Sequence, residues 1–128
     1  MVGIVIVSHS QKLAEGVVEV AQMMAQDAPI AAAGGLENGE LGTSYEKISA
    51  AIDSVYSEDG VVIIADVGSS IMTVEIVLED MQRDNVKLLD CPLVEGAILA
   101  AVESTGGFDL ENLAARVERA RGMSKFID

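Results

Sequence analysis

The sequence predicts an α/β fold, a three-layer α/β/α sandwich around a four-stranded parallel sheet in the order 2-1-3-4. Three observations predict it. Val2–Val7 (VGIVIV) and Val61–Ala65 (VVIIA) are continuous, β-branched and short, the pattern of strands buried on both faces. Stretches with helical spacing of apolar residues separate these runs. Alternation of this kind builds a parallel sheet covered by helices on each side, and right-handed crossovers narrow the strand orders.

Taken along the chain, the elements read β-α-β-α-β-α-β-α-α. The first strand is Val2–Val7. A helix over about residues 11–26 follows, with Leu13, Val17, Val20 and Met24 as its predicted apolar stripe. Pro29–Ala33 is a weak second strand, placed by its context. Thr43 or Ser44 caps a helix running to about Val55, with Ile48 and Ile52 on one face. Val61–Ala65 is the third strand. Gly68-Ser69-Ser70 opens the third helix, marked by Ile71, Val74, Leu78 and Met81. Val86–Leu89 is the fourth strand. Pro92 suits the first turn of a fourth helix through Leu93, Ala97 and Ala101, ended by Gly106-Gly107. Asp109 caps a last helix carrying Leu110, Leu113 and Val117.

The 128 residues form one expected domain, 1–128, without repeat or linker. Hydrophobic residues make up 50% of it, which excludes a disordered chain. Eight Lys and Arg against 21 Asp and Glu give a net charge of −13. Such a surface repels nucleic-acid backbones and anionic lipids, so neither is an expected partner. One Cys and one His exclude an intramolecular disulfide and a multi-His or Cys-cluster metal site within one chain. The six-residue apolar start is too short to span a membrane and lacks a signal layout, so a cytoplasmic location is expected.

In the order 2-1-3-4 the loops after strands 1 and 3 diverge, which is where open α/β sheets bind ligands. Strand 1 ends in Ser8-His9-Ser10 and strand 3 in Asp66, followed by Val67-Gly68-Ser69-Ser70. The only His and an Asp thus leave neighbouring strands at the same edge. His9 is open to three roles: general base, metal ligand or nucleophile. It lacks companion ligands, and no nucleophile-elbow pattern surrounds Ser8 or Ser10. As a nucleophile it needs one ring nitrogen free and the other held, and Asp66 can hold it. Helix N-termini at Ser10 and Ser69 offer N–H groups to an anion. The pattern fits a phosphoryl group carried on His9.

After strand 2 comes the Gly-rich loop Gly34–Ser44 (GGLENGELGTS). It lacks the Lys and the layout of a Walker loop, and no G-x-G-x-x-G follows strand 1. Its Asn38-Gly39 reads as a turn. Gly42, Thr43 and Ser44 are candidate phosphate supports, together with Ser10, Gly68, Ser69 and Ser70. Cys91 reads as a small buried side chain, and the methionines as core positions of helices. A receiver-like signalling module would need an acidic cluster after strand 1, and a flavin protein a phosphate loop flanked by aromatics; neither is present.

The start VGIVIVSHSQKLAEGV resembles the mannose-type IIA domains of the bacterial sugar phosphotransferase system. With GGLENGELGTS, DVGSSIMTVE and CPLVEGA, in that order, the chain is similar over nearly its whole length to the phosphotransferase subunits of phosphoenolpyruvate-dependent dihydroxyacetone kinases. The resemblance implies that His9 is phosphorylated and that Asp66 matches a family Asp. It implies a phosphoryl donor, the phosphocarrier HPr, and an acceptor, ADP on a nucleotide-binding kinase subunit. It also implies a homodimer and no cofactor or metal on this chain, the metal accompanying ADP on the partner. Some relatives carry fused phosphocarrier and enzyme I-like domains; without them, a free-standing carrier is expected. The alternative within the family is a sugar-transporter IIA component that passes phosphate to a IIB domain. Mannose-type dimers can exchange a C-terminal strand, whereas Leu110–Arg121 reads here as helix. Two partners must reach His9, so a shallow site rimmed by Leu13, Ile71 and Met72 is expected.

Overall fold

The computed structural model describes residues 1–126. Its strands are β1 (Gly3–Ser8), β2 (Ile30–Gly34), β3 (Val61–Ala65) and β4 (Val86–Leu88). They form one parallel sheet in the order β2-β1-β3-β4, as the sequence predicts. The helices are α1 (Gln11–Met24), α2 (Tyr45–Val55), α3 (Gly68–Met81), α4 (Leu93–Thr105) and α5 (Leu110–Glu118), with a 3-10 turn at Arg119–Gly122.

Alternate residues of the central strands serve opposite layers, because successive strand side chains point to opposite faces. Ile4, Ile6, Val62 and Ile64 pack with α1, α4 and α5. Val5, Val7, Val61 and Ile63 pack with α2 and α3. All eight are fully buried. Each contributes about 1.5–3 kcal/mol relative to exposure. This two-sided burial explains why β1 and β3 read as unbroken apolar runs.

Several expectations need correction. The buried face of α1 is Ala14, Val17 and Ala21, whereas Leu13, Val20 and Met24 are exposed. The small alanines turn toward the sheet, and the larger side chains fall on a flank. The helix also stops at Met24, because Ala25 departs from helical geometry (φ −150°). Of the two possible caps for α2, the chain uses Ser44, whose hydroxyl accepts from the Lys47 N–H. Pro92 is the cap of α4 rather than part of its first turn. Most methionines lie outside the core: Met1, Met23, Met24, Met72 and Met123 are exposed.

Gly34 ends β2 opposite Ser8 of β1. A Cβ there would lie 2.5 Å from the Ser10 carbonyl oxygen and 2.7 Å from the Ala14 Cβ. Both contacts belong to the first turns of α1, so glycine lets that helix start flush against the sheet. Gly34→Ala is expected to lower stability by about 1–3 kcal/mol through overpacking. Urea unfolding of the variant measures this directly.

Candidate active site

The site forms where β1 and β3 end. Asp66 N–H donates to the Val7 carbonyl, so the ladder between these strands carries on to the first residue past β3. His9 Nδ1 stands 3.0 Å from Asp66 Oδ1. The His9 peptide N–H donates to Asp66 Oδ2 at 3.0 Å, and the Gly42 N–H donates to the His9 carbonyl at 2.9 Å. Ring and backbone of the histidine are therefore held separately. Gly42 reaches its position with φ +146°, a region that favours glycine.

Asp66 is surrounded by donors. Ser8 and Ser70 hydroxyls donate at 2.9 and 2.6 Å, and the Val67 N–H at 2.7 Å. Burial by itself raises the proton affinity of this carboxyl. The Ser70, His9, Val67 and Ser8 hydrogen bonds outweigh that effect and hold its pKa well below the ordinary carboxylate range. Asp66 is thus an anion that orients the imidazole and does not take its proton.

With Nδ1–H committed to Asp66, Nε2 is the ring nitrogen that carries the lone pair. It faces the Ser69 hydroxyl, within hydrogen-bond contact. The His9 side chain is 28% exposed, which leaves the ring edge accessible. Ser69 and Gly68 stand in the first turn of α3, where backbone N–H groups lack intrahelical partners. An oxyanion beside Nε2 meets that helix end.

The other residues singled out in the sequence are placed as follows. Ser10 caps α1, accepting from the Leu13 N–H, while its own N–H donates to Ser8 Oγ. Ser70 is fully buried and turns toward Asp66. Thr43 pairs with Thr73 at 3.0 Å, which ties the Gly-rich loop to α3. Ser44 donates to Glu37 and caps α2. The hydroxyls of Thr43 and Ser44 are bonded to Thr73 and Glu37 rather than to the imidazole, and Gly42 is the loop residue hydrogen-bonded to His9. Leu13 and Met72 are exposed (44% and 64%), whereas Ile71 turns inward against the α2–α3 side of the core. Val67 and Leu41, the chain neighbours of Asp66 and Gly42, are also exposed apolar residues, and the sequence did not single them out. Ser8 was read there only as a neighbour of His9.

A cavity of about 380 Å³ lies on the β4 side of Asp66, lined by Val67, Ile71, Leu89 and Cys91 among others. Cys91 is half-buried against Gly96, and burial pushes its thiol up to about 12, so it is a protonated packing group rather than a reactive thiolate. No group of three or more His, Cys, Asp or Glu among the described residues is arranged to hold a metal ion. No helix among them is long and apolar enough to cross a membrane.

This fold, with a histidine held at the end of its first strand, defines a class. Residues 3–114 match the EIIA-man family, described as the PTS system fructose IIA component. A phosphotransferase subunit of PTS-dependent dihydroxyacetone kinase, DhaM of Lactococcus lactis, is 35% identical over 117 residues, 91% of this chain and 94% of that protein. The DhaM phosphoryl donor subunit of Escherichia coli is 38% identical over 120 residues. That match takes in 88% of this chain and 25% of the longer E. coli protein. A crystal structure of a protein of unknown function, EF1359, superposes with a TM-score of 0.80 at 31% identity, covering 92% of this chain and 94% of that one. The chain belongs to the EIIA-man family, within the branch of DhaM phosphotransferase subunits of dihydroxyacetone kinase.

The lowered Asp66 pKa has a consequence for stability. Folding favours the carboxylate, so the stability gained is present above the unfolded pKa near 4 and is lost as pH falls toward the folded value. Asp66→Asn is expected to remove part of the acid-side loss. Unfolding curves between pH 2 and pH 6 for both proteins check this, and an unchanged pH slope would contradict it.

Proposed function

We propose that this chain is a phosphohistidine relay. It takes a phosphoryl group from the phosphocarrier HPr onto His9 and passes it to ADP bound on the nucleotide-binding subunit of dihydroxyacetone kinase. One observation carries the reading: Asp66 holds Nδ1 of the sole histidine, so Nε2 is left at the accessible edge of the ring.

In the first step the Nε2 lone pair forms a P–N bond as the P–N bond on the carrier's histidine breaks. The carrier's imidazole departs with that electron pair. The His9 ring keeps its Nδ1–H and takes on cationic character, which the Asp66 carboxylate offsets at 3.0 Å. The Ser69 hydroxyl then turns from Nε2 to a phosphoryl oxygen, beside the N-terminus of α3. In the second step a β-phosphate oxygen of ADP attacks, the bond to Nε2 breaks, and its electron pair returns to a neutral imidazole. Both transfers depend on positioning and on groups that stabilise charge.

The working state is a cytoplasmic homodimer that uses no cofactor or metal of its own. The metal accompanies ADP on the partner. The rim of Leu13, Leu41, Val67 and Met72 receives both partners in turn, and the acidic surface steers basic ones toward it.

Incubation with phosphoenolpyruvate, enzyme I and HPr should label the protein with phosphate that is lost in acid and survives alkali. His9→Ala should take up none while keeping its fold by circular dichroism; labelling retained in that variant overturns the assignment. Adding the ADP-loaded kinase subunit should discharge the label into ATP. Discharge to a transporter IIB domain instead would place the chain in the sugar-transport branch. Asp66→Ala should slow the transfer by about 10²–10⁴-fold, as loss of an imidazole-orienting carboxylate does. Single-turnover labelling measures that rate, and a wild-type value would leave Asp66 with a structural role only.

A further inference from the structure

Two hydroxyls beneath the site have no part in the transfer as described so far. Ser8 and Ser70 are both fully buried, one at the last position of β1 and the other in the first turn of α3. Each donates to a different oxygen of the same carboxylate: Ser8 to Oδ2 at 2.9 Å, Ser70 to Oδ1 at 2.6 Å. The Ser8 proton goes to Asp66 Oδ2 alone among the described residues, and the Ser8 oxygen in turn accepts the Ser10 N–H at 3.0 Å. Ser70 Oγ lies 2.7 Å from the Val67 carbonyl as well, so its one proton is shared between two acceptors. The peptide N–H groups of His9 and Val67 complete the set. A carboxylate gripped at both oxygens cannot rotate about its Cβ–Cγ bond without breaking buried hydrogen bonds.

We propose that Ser8 and Ser70 are positioning residues for phosphoryl transfer, which fix the plane of the Asp66 carboxylate and through it keep the His9 proton on Nδ1. The proposal rests on the relay reading for its consequence in catalysis, but its geometry does not. In water a histidine side chain prefers its proton on Nε2, so the arrangement here runs against the intrinsic preference of the ring and has to be imposed. Asp66 is the titratable side chain in hydrogen-bond contact with His9 among the described residues; the other groups bonded to this histidine are Ser69 Oγ and the Gly42 N–H. The two serines act on the carboxylate that sets the tautomer, and neither is bonded to the ring.

The test uses the unphosphorylated full chain labelled with ¹⁵N at histidine. Its single His makes the spectrum unambiguous. Wild type should show Nδ1 protonated and Nε2 unprotonated above the imidazole pKa. Ser70→Ala should shift the population toward the Nε2–H tautomer, and Ser8→Ala should do so more strongly because its proton is undivided. Each should lower kcat for the first transfer by roughly five- to tenfold, less than the full worth of a hydrogen bond to a charged group because the serines act through Asp66, with KM for the carrier unchanged. A merely structural serine would lower thermal stability and leave the tautomer ratio alone. If Ser8→Ala does not fold, Ser70→Ala decides, since its removal strands no backbone donor. Folded variants with the wild-type tautomer ratio overturn the proposal. A wild-type ring already protonated on Nε2 would instead overturn the relay geometry itself.

Discussion

Everything at this site converges on the carboxylate of Asp66. It sits where β1, β3 and α3 meet, and it joins them by accepting from Ser8, His9, Val67 and Ser70. An isolated buried carboxylate is costly, and this one is tolerated because several donors surround it. The same donors make it a weak base. A weak base held at Nδ1 can orient an imidazole and offset its charge without removing its proton. Structural anchoring and chemical tuning are therefore one set of hydrogen bonds.

Much of this was legible in the sequence. The unbroken β-branched runs of β1 and β3 revealed strands buried on two faces, and the alternation with helices pointed to a parallel sheet, for which the expected order 2-1-3-4 is the one observed. From that order alone, His9 and Asp66 had to emerge side by side at one edge. The weaker readings failed for physical reasons. In α1 the eye follows Leu13, Val20 and Met24, yet Ala14 and Ala21 are the residues that let the helix approach the sheet. Small side chains carry little hydropathy signal and much of the packing. The methionines misled in the same way, since apolar side chains at helical spacing can lie on an outward flank.

The loop residues were harder still. Thr43 and Ser44 are hydroxyls near a helix start, which suits a phosphate site and suits ordinary capping equally well. In the structure their hydroxyls pair with Thr73 and Glu37, and neither pairing has a signature in spacing. Ser8 shows the converse. It reads as the tail of a strand, and its link to a residue 58 positions away becomes visible only when β1 and β3 lie adjacent in the sheet. The exposure of Leu41 and Val67 was likewise invisible, because solitary apolar residues in loops carry no period.

The backbone of His9 is pinned at both ends, its N–H to Asp66 and its carbonyl to Gly42. The segment presented to a partner is therefore already ordered. Such a site loses little conformational entropy on docking, and encounter is governed by diffusion, orientation and the field of an acidic surface. For the relay proposed above, which would meet two different proteins in each cycle, this rigidity is an advantage. Short-lived complexes can turn over quickly when neither one has to fold a loop before it reacts.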